Sequence, residues 1–88
     1  RHEDALRRYI SKNMSEAAVK YCEQNGDQTL TIYFKMLLTM YRSYESSKNN
    51  AALLLKRDII IFLAQHASSP ELDPLVVLEQ IPDDWMLN

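Results

Sequence analysis

Cys22 and His66 supply the chain's one thiol and one of its two imidazoles, the pair that a cysteine nucleophile with a histidine base requires. They fall on different helical stretches, and neither stands beside a glycine-rich or strained turn. Cys22 therefore reads as a small apolar core residue. His2, His66 and Cys22 together do not make a zinc set, which takes four ligands at short paired spacings. Among the acids, Asp73 and the pair Asp83-Asp84 stand where helix N-caps belong, and Glu3-Asp4 belongs to a solvated first turn. A single glycine, Gly26, leaves no phosphate-cradling loop. The expectation is a chain with no catalytic site, no metal and no cofactor.

What remains is the chemistry of contact. Tyr33, Phe34, Tyr41 and Tyr44 share one stretch, and the three tyrosines are candidate partner-binding residues because such rings are favoured at interface hot spots. The competing expectation is packed core, with the hydroxyls at its edge. Leu54 and Ile61 border a polar line on a later helix and are the stronger candidates for exposed apolar contacts.

The element that must position these residues is the stretch 30–44, LTIYFKMLLTMYRSY, which predicts a helix apolar on nearly every side. Only Thr31, Lys35, Thr39 and Arg42, spaced four, four and three apart, make a polar stripe along one face. A helix so apolar elsewhere needs neighbours on at least two sides, which predicts helices stacked in layers. Before it, residues 2–10 carry Ala5, Leu6, Tyr9 and Ile10 at helical spacing. Residues 14–24 follow, with Ala17, Ala18, Tyr21 and Cys22 as an inner face. Asn13 is the expected N-cap there, Glu16 its capping-box acid and Gly26 its left-handed stop. Asp27 is the expected cap of the central helix.

After the polar turn 45–50, a helix over 51–67 is expected to start on an Asn50 cap. Its apolar positions Leu55, Ile59, Phe62, Leu63 and Ala67 leave a narrow polar line at Asp58 and Gln65, which predicts cover on several sides. Ser68-Ser69-Pro70 ends it. Asp73-Pro74, a cap carboxylate before a first-turn proline, starts a fifth helix that runs to 80 or 81 and buries Leu75, Leu78 and Ile81. Pro82 stops that helix, and Asp83 or Asp84 would cap a sixth starting near Trp85, with Trp85 packed against a helix still to come. The expected fold is all-α: one domain over 1–88, an α-solenoid segment of about five stacked antiparallel helices plus the start of a sixth. No fixed repeat period is present.

Ten Lys and Arg against twelve Asp and Glu give a formal net charge of -2, which argues against nucleic acid or an anionic membrane surface as the main partner. The lone Cys22 cannot form an internal disulfide, so a reducing, intracellular compartment is the expectation. No apolar run approaches the roughly 20 residues of a membrane span, and direct insertion is not expected. The chain opens on Arg1 and ends on Trp85-Met86-Leu87-Asn88 with no helix stop, which reads as an excerpt of a longer protein.

Residues 59–87, IIIFLAQHASSPELDPLVVLEQIPDDWML, carry His66, Leu72-Asp73-Pro74, Ile81-Pro82 and Asp83-Asp84-Trp85 in an order that resembles one known family. It is the C-terminal helical region of tethering subunits related to vacuolar morphogenesis protein and TGF-beta-receptor-associated protein, found in the HOPS and CORVET complexes. Upstream, Ala5-Leu6, Tyr9-Ile10 and MSEAAVKYC, ending on Tyr21-Cys22, are similar to a helix pair of that family. The resemblance implies a clathrin-heavy-chain-repeat or tetratricopeptide-like solenoid. It also implies a non-enzymatic scaffold that meets a core tether subunit during vesicle-mediated transport and membrane fusion. The implied location is cytoplasmic, peripheral on late endosome, lysosome, vacuole or early endosome membranes. Rab contact would belong to the family's propeller and zinc-finger-like tail, which these residues do not include. The matched positions are caps, turns and core, so Tyr21, Cys22, Asp73, Pro74, Pro82, Asp84 and Trp85 are assigned structural roles. The alternatives are an architectural spacer and a self-association module of another helical-repeat protein.

Overall fold

Residues 29–46 contain neither glycine nor proline, and their apolar side chains recur at three and four. The result is the longest helix, α3 (Thr29–Ser46), in a computed structural model that describes residues 1–86. The remaining helices are α1 (His2–Ser11), α2 (Ser15–Asn25), α4 (Ala51–His66) and α5 (Pro74–Gln80), followed by a 3-10 turn at Asp83–Met86. The described residues contain no strand, and no helix there is long and apolar enough to cross a membrane.

α3 packs against each of the other four helices, and besides those pairs only α1 and α2 pack on one another. Leu30, Tyr33, Phe34, Leu37, Leu38 and Tyr41 line its buried face, Phe34 being wholly removed from solvent. Leu6 of α1, Ala18 and Cys22 of α2, and Ile59 and Phe62 of α4 close on them. The radius of gyration is 12.5 Å, close to the roughly 12 Å of a compact domain of this length.

The junctions depart from the expected caps. Asn13 does not cap α2. It takes a left-handed φ of 56° and terminates α1, its N–H donating to Ile10 O while Met14 N–H donates to Tyr9 O. That is a Schellman ending, and asparagine tolerates the left-handed well better than most residues. Lys48 repeats the arrangement after α3, with φ 57° and bonds from Lys48 N–H to Glu45 O and from Asn49 N–H to Tyr44 O. The cap expected at Asn50 is likewise displaced, because Asn49 Oδ1 accepts the Ala51 N–H at 2.9 Å. Gly26 does end α2 with positive φ, and its φ/ψ of 63°/−138° is open only to glycine.

Asp27 does not cap α3 either. Gln28 is the N-cap residue, left-handed at φ 59°, and its N–H donates to Glu71 Oε1 at 2.6 Å. A carboxylate 43 positions away thus does the work of a local cap, favoured by the positive end of the helix dipole. Only at α5 is the expected start observed, with Asp73 Oδ1 accepting Leu75 N–H and Pro74 in the first turn.

Candidate functional site

The polar stripe of α3 is a seat for α5. Thr31 is buried, its hydroxyl donating to Glu71 O at 2.8 Å and accepting Asp73 N–H at 2.9 Å. At the other end Arg42 Nη2 donates to Gln80 O at 2.6 Å, satisfying a carbonyl at the C-terminus of α5. The clamps join start to start and end to end, so α5 runs parallel to α3. They also fix its rotation. Leu72 and Val77 meet the core, whereas Leu75 and Leu78, expected inside, are 68% and 61% exposed. Ile81 is half-buried.

The helix that Trp85 was expected to meet lies outside the described residues. Trp85 folds back on α3, its ring edge-to-face with Tyr41 at 5.0 Å, and Lys56 Nζ lies 5.6 Å from its centroid. Its indole N–H is buried without a hydrogen-bond partner among the described residues. Asp83 and Asp84 lie inside the 3-10 turn and do not precede an α-helix among the described residues.

The candidate tyrosines separate. Tyr33 and Tyr41 are 3% and 5% exposed and belong to the core, so neither ring projects from the surface; Tyr33 shows only its edge, at the bottom of the trough between α2 and α4. Their burial follows from the α3 register, since both lie on the stripe that carries Leu30, Phe34, Leu37 and Leu38. Burial pushes the Tyr33 hydroxyl up to about 12, with the nearby Cys22 and Asp58 adding to it. It raises Tyr41 as well, whose hydroxyl donates to Glu45 Oε2 at 3.2 Å. Tyr44 is half-buried. Cys22 is fully buried, and burial pushes its thiol up to about 11 against the lowering influence of Thr29. Tyr21 bridges α1 and α2 through a 2.8 Å hydrogen bond with His2 Nδ1.

α4 is where the surface departs most from a sealed core. It was expected to be covered on several sides, yet among the described residues α3 is the one helix it packs on, with Lys56 reaching the Trp85 ring of the 3-10 turn. Ala52, Leu55, Ile59 and Phe62 face inward, while Leu53, Leu54, Ile60 and Ile61 are 72%, 59%, 44% and 46% exposed. Leu53, Leu54 and Ile60, with Ile61 at the edge of the trough on the other flank, are more than scattered single exposures. Leu53 and Ile60 were not singled out from the sequence. Their signal was present: residues 59–61 are three consecutive isoleucines, and a helix covered on one side cannot bury all three.

On its other flank α4 is separated from α2 by a trough of about 520 Å³. Its floor is α3, through Tyr33, Leu37 and Met40. Val19 lines the α2 wall, with Glu16, Lys20 and Glu23 on the same side. Leu55, Ile61 and Phe62 line the α4 wall, with Asp58, Gln65 and His66. Cys22 and His66 do not meet there, since Cys22 is not among the lining residues. Among the described residues, no three His, Cys, Asp or Glu side chains are grouped to hold a metal ion. Comparison with protein-family models, with curated proteins and with solved structures found no match to this chain.

Proposed function

We propose that these helices are a protein-binding scaffold segment of a HOPS- or CORVET-type tethering subunit, and that they join that subunit to a core subunit of the complex. The observation that carries the reading is the outer surface of α4, where Leu53, Leu54, Ile60 and Ile61 stand in solvent. Apolar area left uncovered forgoes about 25 cal/mol per Å², so several large apolar side chains exposed on one helix favour cover by another protein. The family resemblance of residues 59–87 and of MSEAAVKYC supports the assignment to a tether. The matched residues act as caps, stops and packing contacts, which suits a lineage that conveys shape and carries no reaction. In this reading α1 to α5 are a segment of an α-solenoid, non-enzymatic and peripheral on endosomal, lysosomal or vacuolar membranes. Rab contact lies outside these residues.

The test is co-purification of the core tether subunits with the full-length protein carrying Leu54→Glu and Ile61→Glu. Both positions are exposed, so the fold should persist. Loss of the core subunit is the expected result. Full retention, with the variant folded, would remove the surface from the interface and leave the segment as an architectural spacer.

A further inference from the structure

The trough between α2 and α4 has a shape and a charge that the outer surface of α4 lacks. Its lining recurs at intervals of three and four on every wall: residues 16, 19, 20 and 23 on α2; 33, 37 and 40 on α3; 55, 58, 62 and 65 on α4. The trough therefore runs along the helices. At 1.5 Å per residue it extends about 10–16 Å, two to three turns of a guest helix. Its inner surface is apolar, and its rim carries Glu16, Glu23 and Asp58 against the single ammonium of Lys20. Arg57 pairs with Asp58 at 3.7 Å, but both are more than 60% exposed, so the pair screens the carboxylate only weakly.

We infer that this trough receives an amphipathic helix of a partner protein, one with an apolar stripe at i, i+3 or i+4, and i+7, flanked by Lys or Arg. Helix-in-groove recognition uses that stripe for affinity, and the charge of the rim selects the flank. A second copy of this chain is disfavoured as occupant, because pairing the trough with itself brings two acidic rims together. The inference rests on the reading of the chain as a protein-binding segment, and it names the chemistry of what binds.

The probe is a designed peptide of about 18 residues with leucines on one face and lysines flanking them, compared with a twin bearing glutamates in place of the lysines. Binding to the chain is read by fluorescence anisotropy and by backbone amide shifts. The lysine peptide is expected to bind, to shift residues around Val19, Leu37 and Ile61, and to lose affinity as salt rises. Glu16→Lys with Asp58→Lys should weaken it by about tenfold, while Leu53→Glu with Leu54→Glu on the outer surface of α4 should leave it unchanged. Equal binding of the two peptides, shifts confined to Leu53 and Ile60, no binding, or concentration-dependent self-association abolished by Ile61→Glu would each overturn the inference. Because Ile61 also lines the trough, core-subunit binding is measured as well with Leu53→Glu and Leu54→Glu, a pair that shares no residue with the rim pair. Loss of core-subunit binding in that pair and of peptide binding in the rim pair separates this inference from the tethering assignment.

Discussion

Cys22 is the most reactive side-chain type in the chain and is placed where it cannot react. It has no solvent exposure, and its thiol is raised from 9.0 to about 11. Since the thiolate is the nucleophile, alkylation by iodoacetamide near neutral pH is expected to proceed only as fast as the chain unfolds, which mass spectrometry against a urea series would check. The same burial has a sign for stability. The folded chain holds the Cys22 proton more tightly than the unfolded one, so this contribution is complete below about pH 9 and is lost as pH rises through 11. Tyr33, raised from 10.0 to about 12, extends the loss upward. Two pH units correspond to about 2–3 kcal/mol, and the urea midpoint of Cys22→Ala should fall less steeply between pH 9 and 11 than that of the parent chain. Thr31 is the other residue whose environment decides its role. Thr31→Val keeps the shape and strands Glu71 O and Asp73 N–H, and a loss of roughly 1–3 kcal/mol in denaturant unfolding is expected.

α5 is an element held by its ends. Seven residues are too few for an isolated helix, and it persists because Asp73 caps its start while Thr31 and Arg42 fix it along α3. Asp73→Ala should cost about 1 kcal/mol. It should also raise hydrogen exchange at Val77 and Ile81, the amides bonded within this turn and its C-cap, before any other helix is affected. Faster exchange throughout the chain would instead mean that α5 and the core unfold together. The Asp73-Pro74 start was legible in the sequence because cap and amide are two positions apart. The other starts were misassigned for a different reason. Asn13 serves the helix before it in a left-handed ending, Asn49 accepts the amide expected to follow an Asn50 cap, and Glu71 takes the place expected for Asp27. A polar residue between two helices can satisfy either one, and a distant one can reach in.

At the scale of the molecule, a chain of this length has roughly 4–13 kcal/mol of stability to lose, and most of it depends on the surfaces that meet α3. Phe34, wholly buried between α3 and its neighbours, should cost about 3–5 kcal/mol when replaced by alanine. Leu53→Glu, at a position 72% exposed, should stay within about 0.5 kcal/mol. Thermal unfolding of the two variants side by side tests whether α3 is the hub and the outer surface of α4 is free for a partner. Equal destabilisation would mean that something within the fold covers Leu53. The outer surface and the trough lie on either flank of one helix, and Ile61 belongs to both. A partner that covers Leu53 and Leu54 can therefore extend into the trough.

The sequence by itself determined that the chain is helical and where its five helices lie to within one or two residues. Those outcomes follow from interactions spanning three or four residues, which the order of side chains states directly. Tertiary structure alone decided the rest. Glu71 caps α3 from 43 positions away, Arg42 reaches Gln80 across 38, and these distant contacts turn a polar stripe into the seat of α5 and rotate Leu75 and Leu78 into solvent. The exposure of α4 was undetermined for the same reason: an apolar residue records that burial is favourable, and only the neighbouring helices decide whether anything is there to bury it.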